Sequence, residues 1–172
     1  MREKYTGPSL QAPGFKQFFD GVSSQHTAWV TKPYSNARFP EDCGRPTVDA
    51  ATMREYVLAA AAKGYPVRIH TIGDAAIHAA LDIFEEARTA YGPLPEQLQV
   101  VAAVQPPHMT LDPGGPEHDL GSERVRLMWP FRTLLDARTV LAFGTDSPVV
   151  DVNSMDVLYA AIARQDPVTH DP

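Results

Sequence analysis

The chain has 172 residues, 44% of them hydrophobic and 21% charged, which is ordinary composition for one globular domain with room for a real core. With 15 basic against 21 acidic residues the formal net charge is −6, so there is no basic field to attract a nucleic-acid backbone. One cysteine, Cys43, excludes an internal disulfide; no apolar run approaches the roughly 20 residues of a membrane span, and Met1–Tyr5 does not lead into a signal-peptide core, so the expected location is cytoplasmic.

Tyr5 to Asp20 is broken by Pro and Gly until Gly14–Gly21, which reads as a strand with Lys16 pointing the opposite way to Phe15. Ser23–Pro46 reads as a long loop with Trp29, Pro33, Tyr34 and Pro40 as packing points. Val48–Lys63 follows as a helix, with Met53, Tyr56, Val57, Ala60 and Ala61 on one side and Gly64 as the stop.

Three units of one grammar come next. Val67–His70 is a strand, Asp74 an N-cap, and Ile77, Ala80, Leu81 and Phe84 recur at helical spacing up to Tyr91 and Gly92. Val100–Val104 is an unbroken apolar strand that ends in Gln105-Pro106-Pro107-His108. Asp112–Gly121, rich in Gly, Pro and Asp, reads as a second long loop, and such loops inside an α/β domain are often lids over a site. Val140–Phe143 ends in Gly144-Thr145-Asp146-Ser147-Pro148, and Ser154 then caps a helix whose Met155, Leu158, Tyr159 and Ile162 share a face.

Strands alternating with amphipathic helices predict an α/β fold with a parallel sheet buried on both faces. In such folds the C-terminal strand ends carry the chemistry, which puts His70, His108 and Asp146 on one rim. Each candidate also has a plain reading. His70 can serve as a hydrogen-bonding residue at a helix start, Asp146 as a turn aspartate, Lys16 as a solvated charge and His108 as a loop residue. His26 and His78 read as structurally ordinary, the latter exposed on its helix. The chain carries no Gly-rich phosphate loop, Cys-x-x-Cys, His-Glu-x-x-His or Gly-x-Ser-x-Gly.

The order Phe15-Lys16, Asp20-Gly21, Thr27-Ala28, Pro33-Tyr34, His70-Thr71-Ile72-Gly73-Asp74-Ala75-Ala76, Gln105-Pro106-Pro107-His108 and Gly144-Thr145-Asp146-Ser147-Pro148 resembles the amidohydrolase superfamily. Within it the resemblance is to the amidohydrolase 3 branch that contains N-substituted formamide deformylases, and it runs from about Phe15 to about Pro167. It implies a (β/α)8 TIM barrel with a divalent metal centre, zinc by donor type, of one or two ions at the C-terminal rim. By position Lys16 matches the fourth-strand lysine, carbamylated in binuclear members. His70 matches the fifth-strand ligand, and Asp146 the eighth-strand aspartate that touches metal and handles protons. His108 is expected on the rim as a substrate contact. The implied activity is hydrolysis of an amide-like C–N bond in a small molecule.

Against that family pattern, no His-x-His strand opens the chain, and the interval from Tyr91 to Val100 is too short for a unit of about 30 residues that would carry a sixth-strand histidine. The expectation is therefore one partial barrel domain over residues 1–172, with about strands four, five, seven and eight, lacking the N-terminal half and the flanking β-sandwich. As this chain alone it would be weakly active or inactive. The alternative is a noncatalytic α/β remnant or pseudoenzyme acting through self-association or a partner. Either way the exposed flanks of a half barrel predict homo-oligomers or association with the missing barrel parts.

Overall fold

A computed structural model describes residues 7, 14–92 and 101–170. By its internal packing the chain divides into two compact units, Met1–Pro33 with Ala37–Gln99, and Tyr34–Asn36 with Val100–Pro172.

In the first unit β1 (Phe15–Phe18) pairs in parallel with β2 (Val67–His70), Phe15 opposite Val67 and Phe18 opposite His70. The crossover between them contains α1 (Ala50–Ala61), and α2 (Asp74–Tyr91) follows β2. Helix α1 starts at Asp49, whose carboxylate accepts from Thr52 N at 2.9 Å. The core is Phe19, Met53, Val57, Ala61, Ala80, Ile83 and Ala87, with Val67 and Ile69 leaning on it from one face of β2. Strand alternation therefore assigns Arg68 and His70 to the other face.

Details of this unit depart from the sequence reading. Asp74 is the first helical residue and Gly73 the N-cap; the Asp74 carboxylate is taken instead by Thr31, through its N–H at 2.9 Å and its hydroxyl. The buried stripe of α2 is Ala76, Ala80, Ile83 and Ala87, while Ile77 and Leu81 are exposed. Small side chains let α2 approach its neighbours closely, so the alanine stripe, not the bulkier one beside it, faces the core. In the loop Ser23–Pro46, which holds only the 3₁₀ turn Ser23–Gln25, Tyr34 is buried and Trp29 packs on the core, but Pro33 and Pro40 are exposed.

In the second unit β3 (Val101–Val104) pairs in parallel with β4 (Val140–Phe143). Val100, the expected first residue of β3, lies outside the described residues. A 3₁₀ turn, Pro106–Thr110, follows β3, and then come the short helices α3 (Gly115–Leu120), α4 (Ser122–Val125) and α5 (Phe131–Asp136). The expected loop Asp112–Gly121 thus contains a helix. Its Gly and Pro are boundary residues: Gly114 and Gly121 flank α3 at φ 82° and 80°, and Pro116 sits in its first turn, where no N–H is needed.

Helix α6 (Ser154–Ala163) packs on the 3₁₀ turn, and its buried residues are Val157 and Ala160. Its N-cap is Asn153, whose side chain accepts from Met155 N at 3.0 Å, and not Ser154. The predicted face is not the buried one: Met155 is 70% and Ile162 82% exposed. A two-stranded ribbon cannot cover itself on both sides, so the strands are not buried on both faces either; Phe18, Val101 and Val140 are all about half exposed. The architecture is α/β with parallel strands, consistent with a partial TIM barrel. No helix among the described residues is long and apolar enough to cross a membrane.

Candidate functional site

The two units each carry part of the predicted rim. In the first, register and alternation set Lys16, Phe18, Arg68 and His70 on one face of the β1–β2 ribbon. Lys16 Nζ lies 4.9 Å from the centroid of the Phe18 ring, and that ring tilts against the His70 imidazole at 5.0 Å between centroids. Lys16 is exposed and has no acidic partner among the described residues.

His70 is half-buried, with Nε2 3.3 Å from the carbonyl oxygen of Gly21. A carbonyl only accepts, so this contact puts a proton on Nε2; in the neutral ring Nδ1 then carries the lone pair that can bind a metal ion. A carbonyl holding the remote ring nitrogen is the usual way a ligating histidine is oriented.

Asp20 belongs to the family pattern quoted above, where it is given no role of its own. It is 1% exposed and accepts three backbone N–H groups, from Trp29 and Gly73 at Oδ2 (2.9 and 2.7 Å) and from Ile72 at Oδ1 (2.9 Å). Its signal in the sequence is an Asp-Gly step directly after the aromatic pair Phe18-Phe19. His26, read as ordinary, is buried and paired through Nδ1 with Asp42 Oδ2 at 2.5 Å. That hydrogen bond, outweighing burial and aided by Arg38 N at 3.1 Å, holds the Asp42 carboxyl below its ordinary value. His78 is exposed, as expected. An open depression of about 490 Å³ is lined by Thr27, Arg45 and Pro46 of the same loop and by Thr47 just after it.

In the second unit His108 and Asp146 come from the segments that leave β3 and β4. The ladder continues one step beyond β4, with Gly144 N donating to Val104 O at 3.0 Å. His108 is half-buried and its Nε2 is 3.0 Å from the Thr145 carbonyl oxygen. Asp146 itself is exposed, in a left-handed backbone conformation at φ 56°, and its carbonyl accepts from Val149 N at 3.0 Å. A depression of about 360 Å³ opens beside it, lined by Phe143, Thr145, Asn153, Val157 and Leu158 among others.

Lys16 and His70 are thus brought to one face, and His108 and the Asp146 segment to one strand end. Among the described residues no group of three or more His, Cys, Asp or Glu is gathered closely enough to hold a metal ion. The donors present do not make a closed site by themselves.

Two crystal structures are similar to this chain, both of uncharacterized metal-dependent hydrolases. The one from Pyrococcus furiosus is 28% identical with a TM-score of 0.76 over 91% of this chain and 35% of its own. The one from Pyrococcus horikoshii OT3 is 29% identical with a TM-score of 0.78 over 93% and 35%. Protein LONG AFTER FAR-RED 3 of Arabidopsis thaliana is 31% identical over 92% of this chain and 30% of its own length. The chain therefore spans about a third of the relatives it matches. The family model described as amidohydrolase family matches residues 2–170, and the chain belongs to that family.

Proposed function

We propose that this chain is part of one metal-dependent amidohydrolase barrel domain, contributing about strands four, five, seven and eight, and that the complete protein hydrolyses an amide-like C–N bond of a small molecule. The observation that carries the reading is His70 at the C-terminal end of a parallel strand, held through Nε2 by a carbonyl with Nδ1 left to ligate, on the face that also carries Lys16. The matched hydrolases support it, being metal-dependent and similar over nearly the whole of this chain.

In this reading Lys16, as its carbamate, His70 and Asp146 belong to the ligand set, and zinc suits the imidazole and carboxylate donors. A divalent ion would lower the pKa of a bound water and polarise the scissile carbonyl. Because the donors here are too few for a closed site, the remaining ligands come from barrel strands outside this chain. The exposed Asp146 carboxylate accepts the proton of the attacking water and returns it to the leaving amine. His108, oriented by Thr145, stands at the substrate side. The enzyme is cytoplasmic.

The test is metal stoichiometry measured on this chain and on a complete protein carrying the segment. The complete protein should retain zinc, iron or manganese through dialysis, and this chain should hold it weakly or not at all. Absence of metal from the complete, folded protein would overturn the reading. A second reading, a noncatalytic remnant that self-associates, is favoured by the exposed apolar strand and helix faces at Phe18, Val140 and Ile162. A chain that is a stable oligomer in light scattering while the complete protein shows no turnover would support it.

A further inference from the structure

Asp20 is fully enclosed, and among the described residues no Lys, Arg or His pairs with it. A buried carboxylate without a cation must be met by hydrogen bonds. Here the N–H groups of Trp29, Ile72 and Gly73 converge on its two oxygens. Gly73 is the N-cap of α2 and Ile72 precedes it, so the positive end of an 18-residue helix also faces the charge.

The residues on either side of Asp20 hold the same turn. Phe19 N donates to His70 O at 3.0 Å, and Gly21 O receives His70 Nε2 at 3.3 Å. The segment Phe19–Gly21 thus grips residues 70–73 at a ring nitrogen, a carbonyl and two amides. Through Trp29 it also ties down the long loop, whose Trp29 carbonyl accepts Ala76 N at 3.3 Å.

We propose that Asp20 is a positioning residue: its carboxylate locks the turn after β2 onto the tip of β1 and so decides which nitrogen His70 presents. A carboxylate offers acceptors at both oxygens to all three N–H groups at once. An asparagine would turn its NH₂ either toward Ile72 N–H or toward the Trp29 and Gly73 pair, and donor would face donor. That His70 then binds metal rests on the function proposed above; the positioning role does not.

The test is nitrogen-15 NMR of histidine side chains with amide hydrogen exchange, on the chain, its Asp20→Asn and Asp20→Glu variants, and Asp74→Asn as a control. Asp74 clasps the same loop to the same helix through Thr31 but touches neither Gly21 nor Ile72. At a pH where the ring is neutral, the wild-type chain should show the His70 proton on Nε2, and slow exchange at Ile72 and Gly73. Asp20→Asn should mix the two tautomers and speed exchange at both amides by about tenfold, the loss of one net hydrogen bond. Asp20→Glu should restore part of the wild-type signature, and Asp74→Asn should leave His70 unchanged.

If neither Asp20 variant folds, the wild-type spectrum decides: a proton on Nδ1, or unprotected Ile72 and Gly73 amides, overturns the proposal. So does an Asp20→Asn spectrum identical to wild type, or the same His70 change in Asp74→Asn. Loading cobalt(II) into a complete protein that carries this segment separates the two readings. Cobalt that broadens no His70 signal counts against the ligand role while leaving the positioning role intact. Broadening at His70 in a chain indifferent to Asp20→Asn has the opposite meaning.

Discussion

His108 Nε2 lies 3.0 Å from the carbonyl oxygen of Thr145, so the segment leaving the third strand holds the residue next to Asp146. One neutral hydrogen bond of this kind is worth about 0.5–1.5 kcal/mol net. His108→Ala should therefore lower chain stability by about that much in urea titration and speed exchange of the Thr145, Asp146, Ser147 and Val149 amides. In a complete protein, a raised KM with little change in kcat would favour substrate contact by His108; a fall in kcat alone would favour positioning of Asp146.

Asp146 adopts φ 56°, a region that Asn tolerates nearly as well as Asp and that Ala does not. Asp146→Asn should fold within about 0.5 kcal/mol of wild type, and Asp146→Ala should lose about 1–2 kcal/mol. On the function proposed above, Asp146→Asn in the complete protein should nonetheless lose about 10²–10⁴-fold in kcat, the usual worth of a general base, while keeping more metal than His70→Ala. Near-normal turnover in the Asn variant would remove Asp146 from the mechanism.

The His26–Asp42 pair makes a pH prediction. Its hydrogen bond lowers the Asp42 carboxyl pKa below the ordinary 3.8, so the folded state favours the ionised form. The resulting stabilisation is present above the unfolded-state value and is lost as pH falls through the lower folded-state value. Asp42→Asn should therefore be less stable than wild type at neutral pH, and the gap in thermal midpoint should close only below about pH 4. A gap that stayed constant down to pH 2 would mean that the charge of Asp42 contributes nothing.

Gly73 is needed for close approach. Its φ of −71° suits any residue, but a Cβ there would lie 1.9 Å from the carbonyl oxygen of Trp29. Gly73→Ala should cost at least the 1–3 kcal/mol typical of overpacking, about the same or more because the obstacle is backbone. Trp29 fluorescence should shift with it, since the loop must move away from α2. An Ala variant with wild-type stability and fluorescence would show that the loop does not close on the helix as described.

Local pattern carried the strands and helices because each is short-range. Val67–His70 and Val140–Phe143 carry the β-favouring Val67, Ile69, Val140 and Phe143 and are followed by polar residues or Gly, and α1 and α2 have apolar residues at helical spacing, so their existence and nearly their ends were readable. Family membership was readable as well, because the His70–Ala76 and Gly144–Pro148 stretches are contiguous in the chain. Which stripe of a helix is buried was not. Met155, Leu158 and Ile162 have the right spacing, but Val157 and Ala160 are the buried ones in a helix that packs on the 3₁₀ turn, a neighbour more than forty residues away in the chain.

The same limit hid the roles of Asp20 and His26. A carboxylate becomes buried and useful only when donors from Trp29, Ile72 and Gly73 converge on it, and a histidine only when Asp42 is folded back beside it. Side-chain type and local spacing determined what each segment of this protein could be; long-range hydrogen bonds and close packing decided which of its polar groups are enclosed and held, because burial is a property of neighbours and not of sequence.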